Sequence, residues 1–73
     1  MNRKGMKNLI KVERARQNLT QAELAEKVKV ARQTIIAIET GKFLPSTILA
    51  FKIAKILQCR PDEIFELEDQ DWL

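Results

Sequence analysis

The chain has 73 residues, of which 45% are hydrophobic and 32% are charged, with 13 Lys and Arg against 10 Asp and Glu. That length and composition predict one globular domain over residues 1–73. With no His, one Cys and two Gly, the chain lacks the residues that usually build a zinc site, an internal disulfide, a general base or a glycine-rich phosphate loop. We therefore expect no enzyme activity and no catalytic, metal or cofactor residues. Since no membrane span or signal peptide is recognisable, we expect a cytoplasmic protein.

Charge is distributed unevenly along the chain. Residues 1–60 contain all 13 basic residues and four acidic ones, whereas residues 61–73 contain six acidic residues and no basic one. A strongly basic body favours a polyanion as partner, although an ordinary solvated surface is an equal alternative at this point. The acidic end is expected to lie away from any phosphate backbone.

The first predicted helix runs from about Asn8 to Gln17, and Asn18 is a suitable stop. Thr20 and Glu23 then fit a capping box, in which the Thr hydroxyl accepts from an amide of the first turn while the Glu side chain reaches back. This signal predicts the start of a second helix. The inner face of that helix consists of Leu24, Ala25 and Val28.

A break at residues 29–31 separates this helix from a third, Arg32 to Glu39, in which Ile35 and Ile38 form a narrow apolar stripe. Gly41 follows and supplies the left-handed conformation that is common after a helix. Two short helices joined by about three residues, the second with a free outer face, are typical of a helix-turn-helix, here placed at residues 20–40. Any small helical bundle contains such a pair, so the spacing alone leaves DNA binding open.

The remaining elements complete a small helical domain. Ser46 is predicted to cap a fourth helix, Thr47 to Leu57, which is apolar on more than one face and is therefore expected to be the central element. Pro61 opens a last turn of helix with acidic residues at its positive end. The predicted fold class is all-α: a compact bundle of five helices with short extended segments at the chain ends.

The stretch from Leu19 to Ser46 resembles the Cro and phage-repressor type helix-turn-helix family of small transcriptional regulators. It has a T-Q-A-E-L-A opening, an R-Q-T-I recognition helix, an I-E-T-G-K ending and a Pro-Ser turn, and the resemblance extends over residues 8–67. It implies a five-helix, lambda-repressor-like domain that binds a double-stranded DNA operator. Two positions depart from the family pattern: Lys29 replaces the usual turn Gly, and Ala31 replaces the usual Ser or Thr cap of the recognition helix.

The resemblance also implies roles for single residues. Gln33 occupies a base-reading position, and a Gln amide can pair with adenine N6 and N7, while Arg32 can bind guanine O6 and N7 or a phosphate. Gln21 corresponds to a residue that binds a phosphate, and Arg14 with Glu39 to a pair that bridges the first and third helices. For the polar positions an ordinary exposed side chain is the alternative. The predicted DNA-contacting residues are Thr20, Gln21, Arg32, Gln33, Thr34, Ala37, Thr40 and Lys42.

The acidic segment 61–73 also carries apolar side chains, which predicts homodimerisation. Extended pairing that recruits Met1 to Lys7 is one way to form such a dimer. Trp72 and Leu73 are too apolar for a free tail, so we expect them to pack on the body or on a second subunit. The residues predicted to mediate dimerisation are Ile64, Phe65, Leu67 and Trp72.

Two functional interpretations follow from the sequence. The first is a homodimeric, sequence-specific DNA-binding regulator, most simply a repressor, without a small-molecule ligand. The second is a protein-interaction module of the antitoxin or adaptor kind on the same helical fold. Cys59, at the end of an apolar helix, is expected to be a buried and inert thiol.

Overall fold

The computed structural model describes residues 5–73, in which five α-helices are followed and preceded by short extended segments. The predicted helical bundle is thus confirmed, and the two extended segments are real strands. In chain order the elements are β1 Lys7–Asn8, α1 Ile10–Arg16, α2 Gln21–Val28, α3 Arg32–Glu39, α4 Thr47–Ile56, α5 Pro61–Ile64, β2 Phe65–Glu66 and a 3₁₀ helix Asp69–Trp72.

The first helix begins at Ile10, two residues later than the sequence suggests. Asn8 belongs to β1, and its side-chain oxygen accepts a hydrogen bond of 3.2 Å from the Ile10 amide, so it precedes the helix instead of entering it. At the other end Asn18 has a φ of 55°, which confirms it as the helix stop.

The two strands pair with each other inside one chain. They run antiparallel, with Lys7 opposite Glu66 and Asn8 opposite Phe65. The Leu9 amide also donates 2.9 Å to the Ile64 carbonyl, so the chain ends meet beside α1 and α5. Lys7 is the last residue of the segment, Met1 to Lys7, for which the sequence suggests extended pairing in a dimer. Its strand partner, Glu66, lies within the same chain. Residues 1–4 lie outside the described residues.

The helix starts and turns follow the local sequence signals. At α2 the Thr20 hydroxyl accepts 3.0 Å from the Glu23 amide, and the Glu23 carboxylate accepts 2.9 Å from the Thr20 amide, which confirms the capping box. Ser46 caps α4 by accepting 3.1 Å from the Leu49 amide.

Lys29 ends α2 in the left-handed conformation, with φ 61° and ψ 47°. Ala31 makes no side-chain capping bond at the start of α3.

One core joins all five helices. It includes the predicted inner faces of α2 and α3, together with residues of α1, α4 and α5. Its buried members are Ile10, Leu24, Ala25, Val28, Ile35, Ile38, Ile53, Ala54, Leu57 and Ile64.

The burial of Ile64 contradicts one of the predicted dimerisation contacts. Ile64 has no exposed surface in the monomer, because α5 turns it into the core. The prediction that Ile64 lines a dimer interface is therefore wrong. The apolar letters of a four-residue helix do not by themselves say which side chain points inward.

The helix α4, for which the sequence predicts a central position because more than one face is apolar, is buried on one side only. Ile53 and Ala54 face the core, whereas Ile48 and Phe51 are 70% and 59% exposed. At the chain end Trp72 and Leu73 are exposed, so they do not pack on the body of their own chain. Among residues 5–73, no helix combines the length and apolarity that crossing a membrane requires.

Candidate nucleic-acid interface

The helices α2 and α3 form a tight pair. Leu24, Ala25 and Val28 of α2 share a core with Ile35 and Ile38 of α3. In the turn between them the Val30 amide donates 3.0 Å to the Ala25 carbonyl. Because both helices bury these faces, the opposite face of α3 remains open to solvent.

The predicted DNA-contacting residues lie on and around that open face. Arg32 and Gln33 are exposed at the start of α3, while Thr34 and Ala37 are half-buried further along it. Thr40 and Lys42 are exposed in the turn that follows α3, and Thr20 and Gln21 flank the start of α2. The starts of α2 and α3 both border one shallow depression. This depression is lined by Arg14, Asn18, Leu19, Thr20, Gln21, Ala22 and Arg32.

An ion pair beneath this face fixes the end of α3 to α1. The Arg14 guanidinium donates to Glu39 from Nε at 2.7 Å and from Nη2 at 3.2 Å, and both side chains are largely buried. The third nitrogen, Nη1, donates 2.9 Å to the Leu19 carbonyl. The predicted bridge between the first and third helices is therefore present. Because two parallel hydrogen bonds join the side chains, they restrict the relative orientation of the guanidinium and the carboxylate as well as the distance between them.

Gln21 extends this ion pair to Arg32, the first residue of α3. Its Nε2 donates 3.2 Å to Glu39 Oε1, and its Oε1 accepts 3.3 Å from Arg32 Nη2. A continuous chain of polar contacts thus runs from Arg14 through Glu39 and Gln21 to Arg32. The sequence gives no sign of it, because Gln21 and Glu39 are 18 residues apart and meet only when α2 and α3 pack.

The turn after α3 is held by backbone contacts. The Lys42 and Phe43 amides donate to the Ala37 carbonyl at 2.9 Å and 3.2 Å, and Gly41 has a φ of 75°. The Thr40 hydroxyl donates 2.9 Å to the Ile36 carbonyl. Ala37 therefore contributes its backbone to the turn, while Lys42 points its charge into solvent.

The strand β1 supports the same end of α3, which sequence reasoning missed. Asn8 Nδ2 donates 2.9 Å to the Ile38 carbonyl, and buried Gly5 lies against Gly41. A Cβ at Gly5 would approach the Gly41 carbonyl oxygen to 2.4 Å, so only glycine fits. A glycine among basic residues is the only signal that the sequence offered for this contact.

Two further candidates for chemistry are the single thiol and a metal site. Cys59, expected to be buried, is half-buried. The Cys59 thiol donates 3.3 Å to Glu13, and burial together with this carboxylate raises the pKa of the thiol, so the protonated form is favoured. Residues 5–73 contain no group of three or more His, Cys, Asp or Glu arranged to hold a metal ion.

A capped helix, a tight left-handed turn and a second helix with an exposed polar face define the helix-turn-helix class of DNA-binding domain. A sequence profile of the helix-turn-helix family matches residues 10–64, and the chain belongs to that family. It is a transcriptional regulator with a helix-turn-helix DNA-binding domain, in a family of regulators and not of enzymes.

Similar proteins are found in archaea and bacteria. An uncharacterized HTH-type transcriptional regulator of Methanocaldococcus jannaschii is 56% identical over 66 residues, which cover 90% of this chain and 100% of the relative. The uncharacterized HTH-type regulator YgzD of Bacillus subtilis is 44% identical, with the same coverage of both chains. A crystal structure of a candidate DNA-binding protein from Bacteroides fragilis matches 84% of this chain and 98% of that chain, at 31% identity and a TM-score of 0.75.

Proposed function

We propose that this regulator is a cytoplasmic homodimeric repressor that reads a specific double-stranded operator with α3 in the major groove. The observation that carries the proposal is the polar chain from Arg14 to Arg32. It holds the first residue of α3 in place before DNA arrives, so less side-chain freedom is lost on binding.

The exposed start of α3 provides the base contacts. Gln33 pairs through its amide with adenine, and Arg32 binds guanine or a neighbouring phosphate. Thr34 and Ala37 lie further along the helix and offer small apolar contacts, of the kind that suit a thymine methyl group.

Phosphate contacts fix the register of the helix in the groove. Thr20 and Gln21 at the start of α2 face one strand of the backbone, where the amides of the helix terminus favour an anion. Thr40 and Lys42 face the backbone at the other end of α3. Because the side chain of Gln21 already binds Glu39 and Arg32, its phosphate contact is assigned to its backbone amide.

A homodimer presents two copies of α3 to successive major grooves, about 34 Å apart. The apolar residues of the acidic segment favour self-association on the side away from DNA: Phe65 is half-buried, and Leu67 and Trp72 are 59% and 76% exposed. Dimerisation covers this apolar surface and enlarges the core of a small domain.

The experiment is a footprint on the DNA that flanks the protein's own coding region, followed by titration of the protected duplex and a scrambled duplex at several salt concentrations. We expect tighter binding to the protected sequence and a steep loss of affinity with salt, because phosphate contacts release counterions. Equal affinity for both duplexes would contradict operator reading. No binding to either duplex would favour a protein-interaction module instead.

A further inference from the structure

The outer side of α4 carries a groove that the proposed DNA contacts do not use. We call it the α4 groove; its floor is apolar and two lysines stand at its side. It is lined by Thr47, Ile48, Phe51, Lys52 and Lys55. None of these residues belongs to the depression beside Arg32 at the proposed DNA interface.

The exposed apolar surface continues beyond this groove. Phe51 also borders a second hollow, which it shares with Leu44, Pro45 and Phe65. The apolar face of α4 thus reaches β2, from which the chain end leaves. Surface of this kind usually marks a contact with another molecule when it is contiguous.

The chain end has the matching chemistry. We call residues 67–73 the acidic tail: they contain three acidic and no basic residues. Leu67, Trp72 and Leu73 are 59%, 76% and 97% exposed, so these three apolar side chains are largely open to solvent in the monomer. Asp69 is exposed as well, at the start of the 3₁₀ helix.

We propose that the α4 groove of one protomer receives the acidic tail of a second copy, which rests on the homodimer proposed above. Trp72 packs on Ile48 and Phe51, and the exposed Asp69 lies beside Lys52 and Lys55. A two-fold axis repeats the contact, so each protomer gives a tail and receives one. Burying an aromatic side chain removes roughly 150–250 Å² from water, so two Trp72 side chains supply a substantial share of a small interface.

Charge complementarity selects this occupant over others. A phosphate backbone would pair with Lys52 and Lys55 but would leave the apolar floor formed by Ile48 and Phe51 without an apolar partner. The acidic tail carries apolar and anionic groups together, and the groove offers apolar and cationic groups together. The same contact keeps the acidic tail away from Arg32 and the proposed DNA interface.

Sedimentation velocity without DNA tests the exchange. Lys52→Glu/Lys55→Glu reverses the charge of the groove. Asp69→Lys/Gln70→Lys removes the net negative charge of the tail side chains, because two lysines then offset Glu68 and Asp71, and it leaves the Glu68 to Asp71 cap in place. We expect each variant to weaken the dimer about tenfold or more. An equimolar mixture should regain dimers, because one tail-groove contact is then native and the other joins lysines of the tail to glutamates of the groove.

The control is Lys11→Glu/Lys27→Glu, which makes the same charge change at exposed positions of α1 and α2 and should leave the dimer unchanged. A monomeric wild type, unaffected variants, or a mixture that stays monomeric would each overturn the exchange.

Operator binding is measured separately by fluorescence anisotropy. If the wild type exchanges tails but binds no duplex, the proposed function alone is overturned. If the wild type binds its operator as a monomer, both the tail exchange and the proposed homodimer are overturned.

Discussion

Arg14 and Glu39 meet through two hydrogen bonds, 2.7 Å from Nε and 3.2 Å from Nη2, with side chains that are only 13% and 7% exposed. The pair joins α1 to the end of α3. Since both charges are largely removed from water, each depends on the other for compensation.

Removing one member of this pair is expected to be costly. Arg14→Met leaves the Glu39 carboxylate largely buried, and among residues 5–73 the Gln21 amide is then its one remaining hydrogen-bond partner. We expect the free energy of unfolding to fall by about 3 kcal/mol. The double variant Arg14→Met/Glu39→Leu should lose less, because no unpaired charge remains. Denaturant unfolding measures both. An equal or greater loss in the double variant would contradict this account.

The control for that comparison is the exposed pair of Lys7 and Glu66, 3.5 Å apart with side chains 61% and 40% exposed. Lys7→Ala should change the free energy of unfolding by at most about 1 kcal/mol, because solvent screens the pair.

Base reading is tested at the start of α3. Gln33→Ala should weaken binding to the operator by about 1–3 kcal/mol and leave binding to a scrambled duplex nearly unchanged, because only a base contact is lost. Lys42→Ala should weaken both and lower the salt slope by about one unit. Titration of both duplexes measures the difference, and equal losses for Gln33→Ala would exclude a base contact.

The turn between α2 and α3 contains a strained residue. Lys29 has a φ of 61°, which costs a residue with a Cβ about 1 kcal/mol relative to Gly. Lys29→Gly should therefore raise the free energy of unfolding by up to about 1 kcal/mol. Lys29→Ala removes the charge but keeps the Cβ, so it should show no gain. A lower denaturation midpoint for Lys29→Gly would show that the turn is unstrained.

The capping box at α2 should make stability depend on pH. The hydrogen bonds from the backbone and side chain of Thr20 hold the pKa of Glu23 below its ordinary value of 4.5. Because the folded pKa is the lower one, this contribution to stability is present above the unfolded pKa and is lost as pH falls through the folded pKa. Thermal melts of wild type and Thr20→Ala should differ more at neutral pH than at pH values well below 4.5. A difference that does not change with pH would contradict the effect.

Local signals in the sequence determined the helix starts and stops. Thr20 with Glu23, Ser46, Asn18 and Gly41 act within a few residues of themselves, through side-chain caps or a permitted positive φ. The apolar spacing of α2 and α3 likewise determined which of their faces are buried. Together with the resemblance, these signals were enough to predict the five helices and the helix-turn-helix.

Only the tertiary structure decided the contacts that join distant segments. The link from Glu39 through Gln21 to Arg32, the fit of Gly5 against Gly41 and the pairing of β1 with β2 all form between residues far apart in the chain. The tertiary structure also decided that Ile64 of α5 is buried in the core, whereas Ile48 and Phe51 of α4 are exposed to solvent. Composition gives the amount of apolar surface in a helix, but the packing of the other helices determines which part of that surface is covered.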